Sequence, residues 1–253
     1  MLKDLDMKQR FLYIVLALCM FSIQSNAQSK PVPEDSREQK VGRDGFEWYR
    51  VCKNGKYGAE DKDGNVLVPC EFERVRYRSF DKMDSSYLGA GFETKVGTSF
   101  GRYSFDGKCI IPITRGYIQI YEFTLEDKPE IGTYYECRYD NGVALCYANG
   151  EEVRRFDGYY AAVPRYAKGK FCYMICKDRK FGVMDGEGRI IIKPTYSSLD
   201  VDKDGNFMVY GNTRDVPPKK VGDVSSVTTT RNPFANNPLT IQRPPTATAK
   251  PEP

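Results

Sequence analysis

A short motif, an aromatic residue followed by glycine, recurs along the chain and constrains the fold more than any other feature of the sequence. The second residues of successive motifs lie 43, 43 and 38 residues apart. A unit of about 40 residues cannot bury its apolar face alone, so neighbouring units must stack or close on each other to form a core. The motifs are Tyr57-Gly58, Phe100-Gly101, a weakened version Val143-Ala144, and Phe181-Gly182.

A turn signal follows each motif, because a glycine stands six residues after the second residue of the motif. Short apolar or alternating runs flank these turns, which is the pattern of hairpins. Turns of this type need a positive φ, which glycine adopts without steric cost. No helical period runs through residues 41–211, so the sequence predicts an all-β fold with about three strands per unit. The turn dipeptides are Asp63-Gly64, Asp106-Gly107, Asn149-Gly150 and Glu187-Gly188.

The aromatic residue of each motif is predicted to fill the core, while its glycine lets another backbone approach closely. A proline follows twelve or thirteen residues after the aromatic residue, at Pro69, Pro112 and Pro194. Proline cannot donate to a strand ladder, so we expect these prolines at strand ends.

These units resemble WG repeats, a family found mostly in bacterial proteins. The motifs stand where the family has Trp-Gly, and the turn dipeptide and an ending such as Val66–Pro69 follow in order. The third unit departs from the pattern, because Arg154-Arg155 occupies the proline region. The resemblance spans roughly residues 45–211. It implies a β-repeat domain without an agreed enzymatic activity, so no catalytic residues are carried over.

Two arrangements of about four such units are open. Tandem hairpin or meander units can close as a small propeller-like ring or stack as an open β-repeat array. Residues 206–210 can complete the first sheet of a ring or cap the end of a stack. We favour the ring.

The amino-terminal segment of the chain differs in composition from the repeats. Lys3, Lys8 and Arg10 precede an apolar run, and Ser25 and Ala27 suit a cleavage site, so residues 1–27 are predicted to be a signal peptide. The protein is then exported, to the periplasm or the medium. The apolar run is too short for a membrane anchor, since a thirteen-residue helix spans roughly 20 Å of a roughly 30 Å hydrocarbon core. A lipid-modified Cys19 is the lesser alternative.

Two polar segments flank the repeats. Residues 28–44 are predicted to form a polar leader. Residues 212–253 are rich in proline and threonine and are predicted to be a disordered tail, either a spacer or a ligand for a partner's groove. The formal net charge is +4, of which residues 1–27 contribute +1 and residues 216–253 contribute +3. The neutral segment between them argues against nucleic-acid binding.

Catalytic chemistry is sparse. The chain has no histidine, which excludes the usual serine and cysteine triads, and it has no CxxC pair for zinc, so we predict no metal and no cofactor. Seven cysteines follow residue 27. Most are expected to be buried thiols, and Cys172 and Cys176, about 13 Å apart on a regular strand, are too far apart to bridge each other.

Paired carboxylates are the remaining route to an enzyme, since two acids about 5–9 Å apart hydrolyse glycosides. Asp61 with Asp63 and Asp185 with Glu187 have suitable types. Each pair lies at a repeated turn, where aspartate is favoured because it accepts hydrogen bonds from nearby backbone. We therefore interpret them as turn residues and keep a glycan-acting hydrolase as the alternative function.

Two surface features suggest binding. Arg74, Arg76 and Arg78 alternate along a predicted strand, so their side chains share one face and can bind carboxylate or phosphate. The pairs Tyr134-Tyr135 and Tyr159-Tyr160 each place one tyrosine on either face of a strand, and an exposed tyrosine is common at recognition surfaces. We select Tyr134 and Tyr159 as candidates. The sequence thus predicts a non-catalytic interaction module for an envelope protein or glycan.

Overall fold

The computed structural model describes residues 34–78, 90–125, 131–211 and 217–235. The predicted signal peptide and Cys19 lie outside these ranges. No helix in the described ranges is long and apolar enough to cross a membrane. The same ranges hold strands, turns and two short 3-10 helices, Ile113–Arg115 and Val224–Ser226, and the predicted all-β fold is confirmed.

Five antiparallel sheets follow one another along the chain, and in each of them neighbouring strands are consecutive in sequence. Sheet 1 contains β1 (Ser36–Val41), β2 (Glu47–Lys53), β3 (Lys56–Glu60) and β4 (Val66–Phe72). Sheet 2 contains β5 (Arg74–Arg78), β6 (Gly91–Val96), β7 (Ser99–Ser104) and β8 (Cys109–Ile111). Sheet 3 contains β9 (Gln119–Leu125), β10 (Gly132–Tyr139), β11 (Gly142–Tyr147) and β12 (Glu152–Asp157). Sheet 4 contains β13 (Ala161–Ala167), β14 (Lys170–Lys177), β15 (Lys180–Asp185) and β16 (Ile190–Tyr196), and sheet 5 contains β17 (Asp200–Val201), β18 (Asn206–Val209) and β19 (Lys219–Asp223).

The core is divided into four clusters, and each joins two successive sheets. Trp48 and Phe92 belong to the cluster between sheets 1 and 2, and Ile111 and Cys146 to the next. Two further clusters join sheet 3 to sheet 4 and sheet 4 to sheet 5. No cluster among the described residues contains members of both sheet 1 and sheet 5. The array is therefore an open stack, and the ring that we favoured is wrong: β18 does not complete sheet 1 but lies in sheet 5, where its Phe207 packs onto sheet 4.

The glycine of the motif makes room for a bulge in the fourth strand of the unit. Tyr57 pairs with Phe72 and Ala59 with Val68, so three residues of β4 lie opposite Gly58. A Cβ atom on Gly58 would lie 2.5 Å from the Val68 carbonyl oxygen. The predicted close approach of another backbone is confirmed.

The prolines correct our expectation about strand ends. Pro69 lies within β4 and Pro194 within β16, while Pro112 directly follows β8. Both β4 and β16 are edge strands, and each proline lies in the bulge opposite the motif glycine. A bulge on an edge strand leaves backbone amides outside the ladder, so a missing N–H costs little there.

The turn glycines have the predicted positive φ. Their φ values are 86° at Gly64, 90° at Gly107, 85° at Gly150 and 98° at Gly188. A fifth turn ends at Gly205, with φ of 78°. Asp202 accepts backbone hydrogen bonds there from Asp204 and Asn206, as Asp61 does from Asp63 and Asn65 in the first unit. The sequence prediction missed this fifth, partial unit because it has no aromatic-glycine motif.

The predicted disordered tail, residues 212–253, is wrong for residues 217–235. We call these residues the strap. Its strand β19 completes sheet 5, and its Phe234 is fully buried in the cluster between sheets 3 and 4. Residues 212–216 and 236–253 lie outside the described ranges. The predicted leader, residues 28–44, is likewise corrected, because it contains β1, which pairs with β2.

The cysteines follow the thiol interpretation. None of the seven forms a disulfide in the structure, and five of them are buried. Cys172 and Cys176 lie on the same strand, β14, and burial raises the pKa of the Cys172 thiol to about 12.

Candidate binding surfaces

A basic groove lies between sheet 1 and the edge strand β5 of sheet 2. It is a cavity of about 400 Å³, and Trp48 and Tyr77 line its apolar part. We define the basic groove by its five cationic lining residues, Lys40, Arg43, Arg50, Arg74 and Arg76. They come from the end of β1, the loop after it, β2 and β5, so the groove depends on the stacking of two units.

The predicted arginine row is present on β5, with the two outer arginines already bound. Arg74 Nη2 donates to Glu93 Oε1 at 3.2 Å, and Arg78 Nη2 donates to Glu93 Oε2 at 3.1 Å. Arg76 pairs with Glu93 across the strands in backbone register, yet its side chain is exposed and has no hydrogen bond or ion pair within the described ranges. Only Arg74 and Arg76 of the row line the groove. Val75 is buried and Tyr77 half-buried, as the alternation predicts.

One carboxylate, that of Glu38 on β1, positions two of the groove's cations. Arg50 Nη2 donates to Glu38 Oε2 at 2.6 Å, and Lys40 donates to the other oxygen of the same carboxylate. The Lys40 ammonium, with Arg50 acting in the same direction, holds the pKa of Glu38 below its usual value. Glu38 thus keeps Lys40 and Arg50 on the same side of the sheet, with their remaining donor hydrogens available to an anion.

The aromatic floor of the groove is fixed by packing. The rings of Phe46 and Tyr77 stack with centroids 4.9 Å apart, and the Tyr77 ring lies 6.3 Å from that of Trp48. Tyr77 donates to Asp44 Oδ2 at 2.8 Å, and burial raises the pKa of this tyrosine well above its usual value. The floor is therefore rigid and neutral, while the rim carries the positive charge.

A second cavity, of about 440 Å³, lies where sheet 3 meets the start of sheet 4. We call it the tyrosine cavity. Its lining includes the turn that joins β10 to β11 and the segment that joins β12 to β13. Side chains in its lining include those of Ile118, Arg138, Asp140, Asn141, Tyr159 and Tyr160.

Arg138 organises the tyrosine cavity. Its guanidinium carbon lies 4.8 Å from the ring centroid of Tyr121 and 4.1 Å from that of Tyr160. Nη1 donates to the Tyr160 hydroxyl at 2.7 Å, and Nη2 lies 3.1 Å from Oε1 of Glu136. Tyr160 is nevertheless 63% exposed.

The structure places the tyrosine candidates differently from the sequence prediction. Tyr134 and Tyr135 are both buried, because sheet 3 is covered on both faces by neighbouring units. The selection of Tyr134 as a surface residue is therefore wrong. Tyr159 lines the cavity but packs against the core, and its neighbour Tyr160 is the exposed member of the pair.

The carboxylate candidates belong to turns. Asp61 accepts hydrogen bonds from the backbone of Asp63 and Asn65 and from the Asn65 amide, the last of which contributes most to lowering its pKa. Asp185 is buried, and it accepts from the backbone and side chain of Arg189. Both carboxylates therefore have the turn role that we inferred from the sequence.

Sequence reasoning missed Lys40, Arg43 and Arg50 in the groove. Two of them lie in the predicted leader, and their density of positive charge was the only available signal. Their convergence with Arg76 depends on how two units stack, which the repeat period does not specify. Tyr160 was missed because strand alternation alone does not say which face a neighbouring unit covers.

Comparison with known families gives one match. Residues 181–210 match the family described as WG containing repeat. The match begins at Phe181-Gly182 and extends through β16 to β18. The resemblance predicted from the sequence is thus confirmed for residues 181–210. No curated protein and no solved structure matches the chain.

Proposed function

We propose that this protein is a non-catalytic, exported binding module of WG-like repeats that holds an anionic segment of an envelope protein or glycan in the basic groove. A repeat array offers an extended surface made of several units, which suits binding. The observation that carries the proposal is the convergence of five cationic side chains from two units on one cavity.

Arg76 is the residue that best fits direct contact with such a partner. It is exposed, it lines the groove, and no described carboxylate forms an ion pair with it. A carboxylate, phosphate or sulfate group of a partner would complete its hydrogen bonding in the bidentate way that guanidinium favours. Arg74 is less available because Glu93 already accepts from it.

Binding of two polyanions tests the proposal and separates the two partner classes. Polyglutamate represents an acidic protein segment, polygalacturonate an acidic glycan, and dextran a neutral glycan. We expect calorimetry to detect one polyanion and not dextran, with an affinity that falls as salt rises. Arg76→Glu should weaken that binding by about tenfold, or ~1.4 kcal/mol.

Lys193→Glu is the matched control, because Lys193 is an exposed strand residue of sheet 4 outside the groove. Both variants change the net charge equally, so only a local effect distinguishes them. Equal binding by the parent and Arg76→Glu, or no binding of either polyanion, would contradict the proposal.

Export is tested separately from binding. Cleavage after Ala27 would leave a mature chain that begins at Gln28. Amino-terminal sequencing of protein recovered from an envelope or medium fraction should read that residue first. An intact Met1 in a cytoplasmic fraction would remove the exported part of the proposal and leave the binding part to the polyanion experiment.

A further inference from the structure

The tyrosine cavity differs in chemistry from the basic groove and lies between different units. We propose that it is a binding site for a neutral, gluco-configured oligosaccharide, one ring of which stacks on Tyr160. This site is independent of the anionic partner proposed for the groove, so either assignment can fail without the other.

The first step is the rigidity of Tyr160. An exposed aromatic side chain is usually free to change rotamer, but the Tyr160 ring lies against the Arg138 guanidinium and its hydroxyl accepts from the same group at 2.7 Å. Arg138 is itself held between Tyr121 and the buried carboxylate of Glu136. The platform is therefore formed before a ligand arrives, which lowers the entropy lost on binding.

The second step is the shape of the free surface. Arg138 covers one face of the Tyr160 ring, and 63% of the residue remains exposed beside the cavity. A flat aromatic face suits a pyranose with equatorial substituents, because the axial C–H groups of such a ring form a flat apolar face. The cavity volume of about 440 Å³ lies within the range of roughly 300–1,000 Å³ that holds small ligands.

The third step is the polar rim. Asp140 and Asn141 form the tip of the turn between β10 and β11, both are exposed, and both line the cavity. The carboxylate accepts hydrogen bonds, and the amide both donates and accepts them. Neighbouring sugar hydroxyls likewise donate and accept, so this pair can satisfy a diol at the edge of a ring stacked on Tyr160.

The fourth step is charge. The Arg138 guanidinium is paired with Glu136, so it does not offer the unneutralised charge that Arg76 offers in the groove. Asp140 adds a carboxylate to the rim. An anionic sugar would meet that carboxylate without a compensating cation, which favours a neutral ligand. A cationic peptide is the competing occupant, because a tyrosine ring and a carboxylate also attract an ammonium group.

Three soluble probes test the assignment on the full chain. Cellotetraose and chitotetraose present equatorial sugar faces, and tetralysine presents ammonium groups. We expect saturation-transfer NMR and calorimetry to show binding of at least one saccharide. Tyr160→Ala should lower that association constant at least tenfold, or ~1.4 kcal/mol. Tyr160→Phe keeps the ring but loses the hydroxyl contact with Arg138, so it should lose only a part of that affinity.

Two controls locate the effect. Tyr210→Ala removes another exposed tyrosine outside the cavity, and Arg76→Glu alters the groove; neither should change saccharide binding. Tyr160 is exposed, so its alanine variant should keep the parent circular dichroism spectrum. The assignment is overturned if neither saccharide binds, if Tyr160→Ala binds as tightly as the parent, or if tetralysine binds more tightly than both saccharides.

Discussion

The third and fourth units have the same order of strands but differ at the second residue of the motif. In the fourth unit, Phe181 pairs with Tyr196 and Val183 with Ile192, so residues 193–195 bulge opposite Gly182. In the third unit, Ala144 pairs directly with Arg155, without a bulge. A hairpin unit therefore folds with either residue. Glycine is needed only where the next strand has inserted residues.

The bulge also varies in size between units. Three residues lie opposite Gly58 and Gly182, while residues 112–116, with a 3-10 turn, lie opposite Gly101. The third unit has no proline in this region, and its β12 has no bulge opposite Ala144; the register shifts only farther along, between Leu145 and Cys146. The aromatic-glycine motif and the later proline are thus two parts of one structural device, and the unit that lacks one also lacks the other.

The largest loss of stability is expected at Phe234, the residue that joins the third and fourth units. The Phe234 ring lies 5.9 Å from that of Tyr134 and 5.6 Å from that of Tyr147 in the third unit, and 6.1 Å from that of Phe171 in the fourth. Phe234→Ala leaves a cavity among these rings and should lower the free energy of unfolding by about 3–5 kcal/mol in urea denaturation.

Tyr210→Ala is the control for this substitution, since loss of an exposed ring should change stability by less than about 0.5 kcal/mol. The strap also bonds to both units, through the Tyr147 hydroxyl to Pro233 and the Phe171 amide to Thr229. A Phe234→Ala protein as stable as the parent would mean that the strap does not join the two units in solution.

Gly182→Ala should have the next largest effect. The added Cβ atom would lie 2.4 Å from the Ile192 carbonyl oxygen and 2.7 Å from the Pro194 nitrogen, and both are backbone atoms of the bulged strand β16. Relief requires the strand to move, so we expect a loss of about 3 kcal/mol in the same denaturation experiment.

Gly101→Ala should destabilise the protein less than Gly182→Ala does. Its closest contact would be the Thr94 hydroxyl at 2.6 Å, a side-chain atom, and the nearest backbone atom lies at 3.0 Å. Rotation of Thr94 relieves part of the overlap, so the loss should be smaller than at Gly182. Equal losses at the two positions would show that backbone crowding in the bulge is not the cause.

Features that repeat locally in each unit could be predicted from the sequence, and features that depend on contacts between units could not. The turn glycines and the close approach at Gly58 were predictable because they are local backbone requirements repeated in register. The strap and β1 were not, because their apolar residues are isolated in polar segments and are ordered only by tertiary contacts, as at Phe234. The proximity of Lys40 and Arg76 was not predictable either, because it depends on how sheets 1 and 2 stack. Stacking also buries Tyr134, which the sequence analysis selected as a surface residue.

Ala144→Gly tests the converse of the glycine rule. Ala144 is fully buried in a regular strand, so the substitution removes a packed methyl group and adds backbone freedom without creating a bulge. The expected loss is about 1–2 kcal/mol, from roughly 0.8 for the methyl and 0.5–1 for glycine in a strand. If glycine is instead favoured in every unit, this variant should be more stable than the parent.

The smallest expected effect concerns how stability depends on pH. It arises at another position where the third and fourth units have different residues. Glu136 of β10 pairs with Leu145, and Met174 of β14 occupies the equivalent place opposite Val183; both are buried. Burial raises the pKa of Glu136, against the opposing influence of Arg138 and of the Ala162 amide. The folded protein therefore binds a proton at Glu136 more tightly than the unfolded chain does.

The sign of the effect follows from linkage. Between the unfolded and the raised folded pKa, the folded state holds more protons, so this group lowers stability as pH rises through that window. Glu136→Gln keeps an acceptor for Arg138 but does not titrate. We expect the stability of the variant relative to the parent to rise as the pH passes the pKa of the unfolded carboxyl group, and to level off above the raised pKa of the folded state. A stability difference between variant and parent that does not change with pH would contradict this expectation. It would mean that Glu136 is solvated in the folded protein and that water, and not Arg138, compensates its charge.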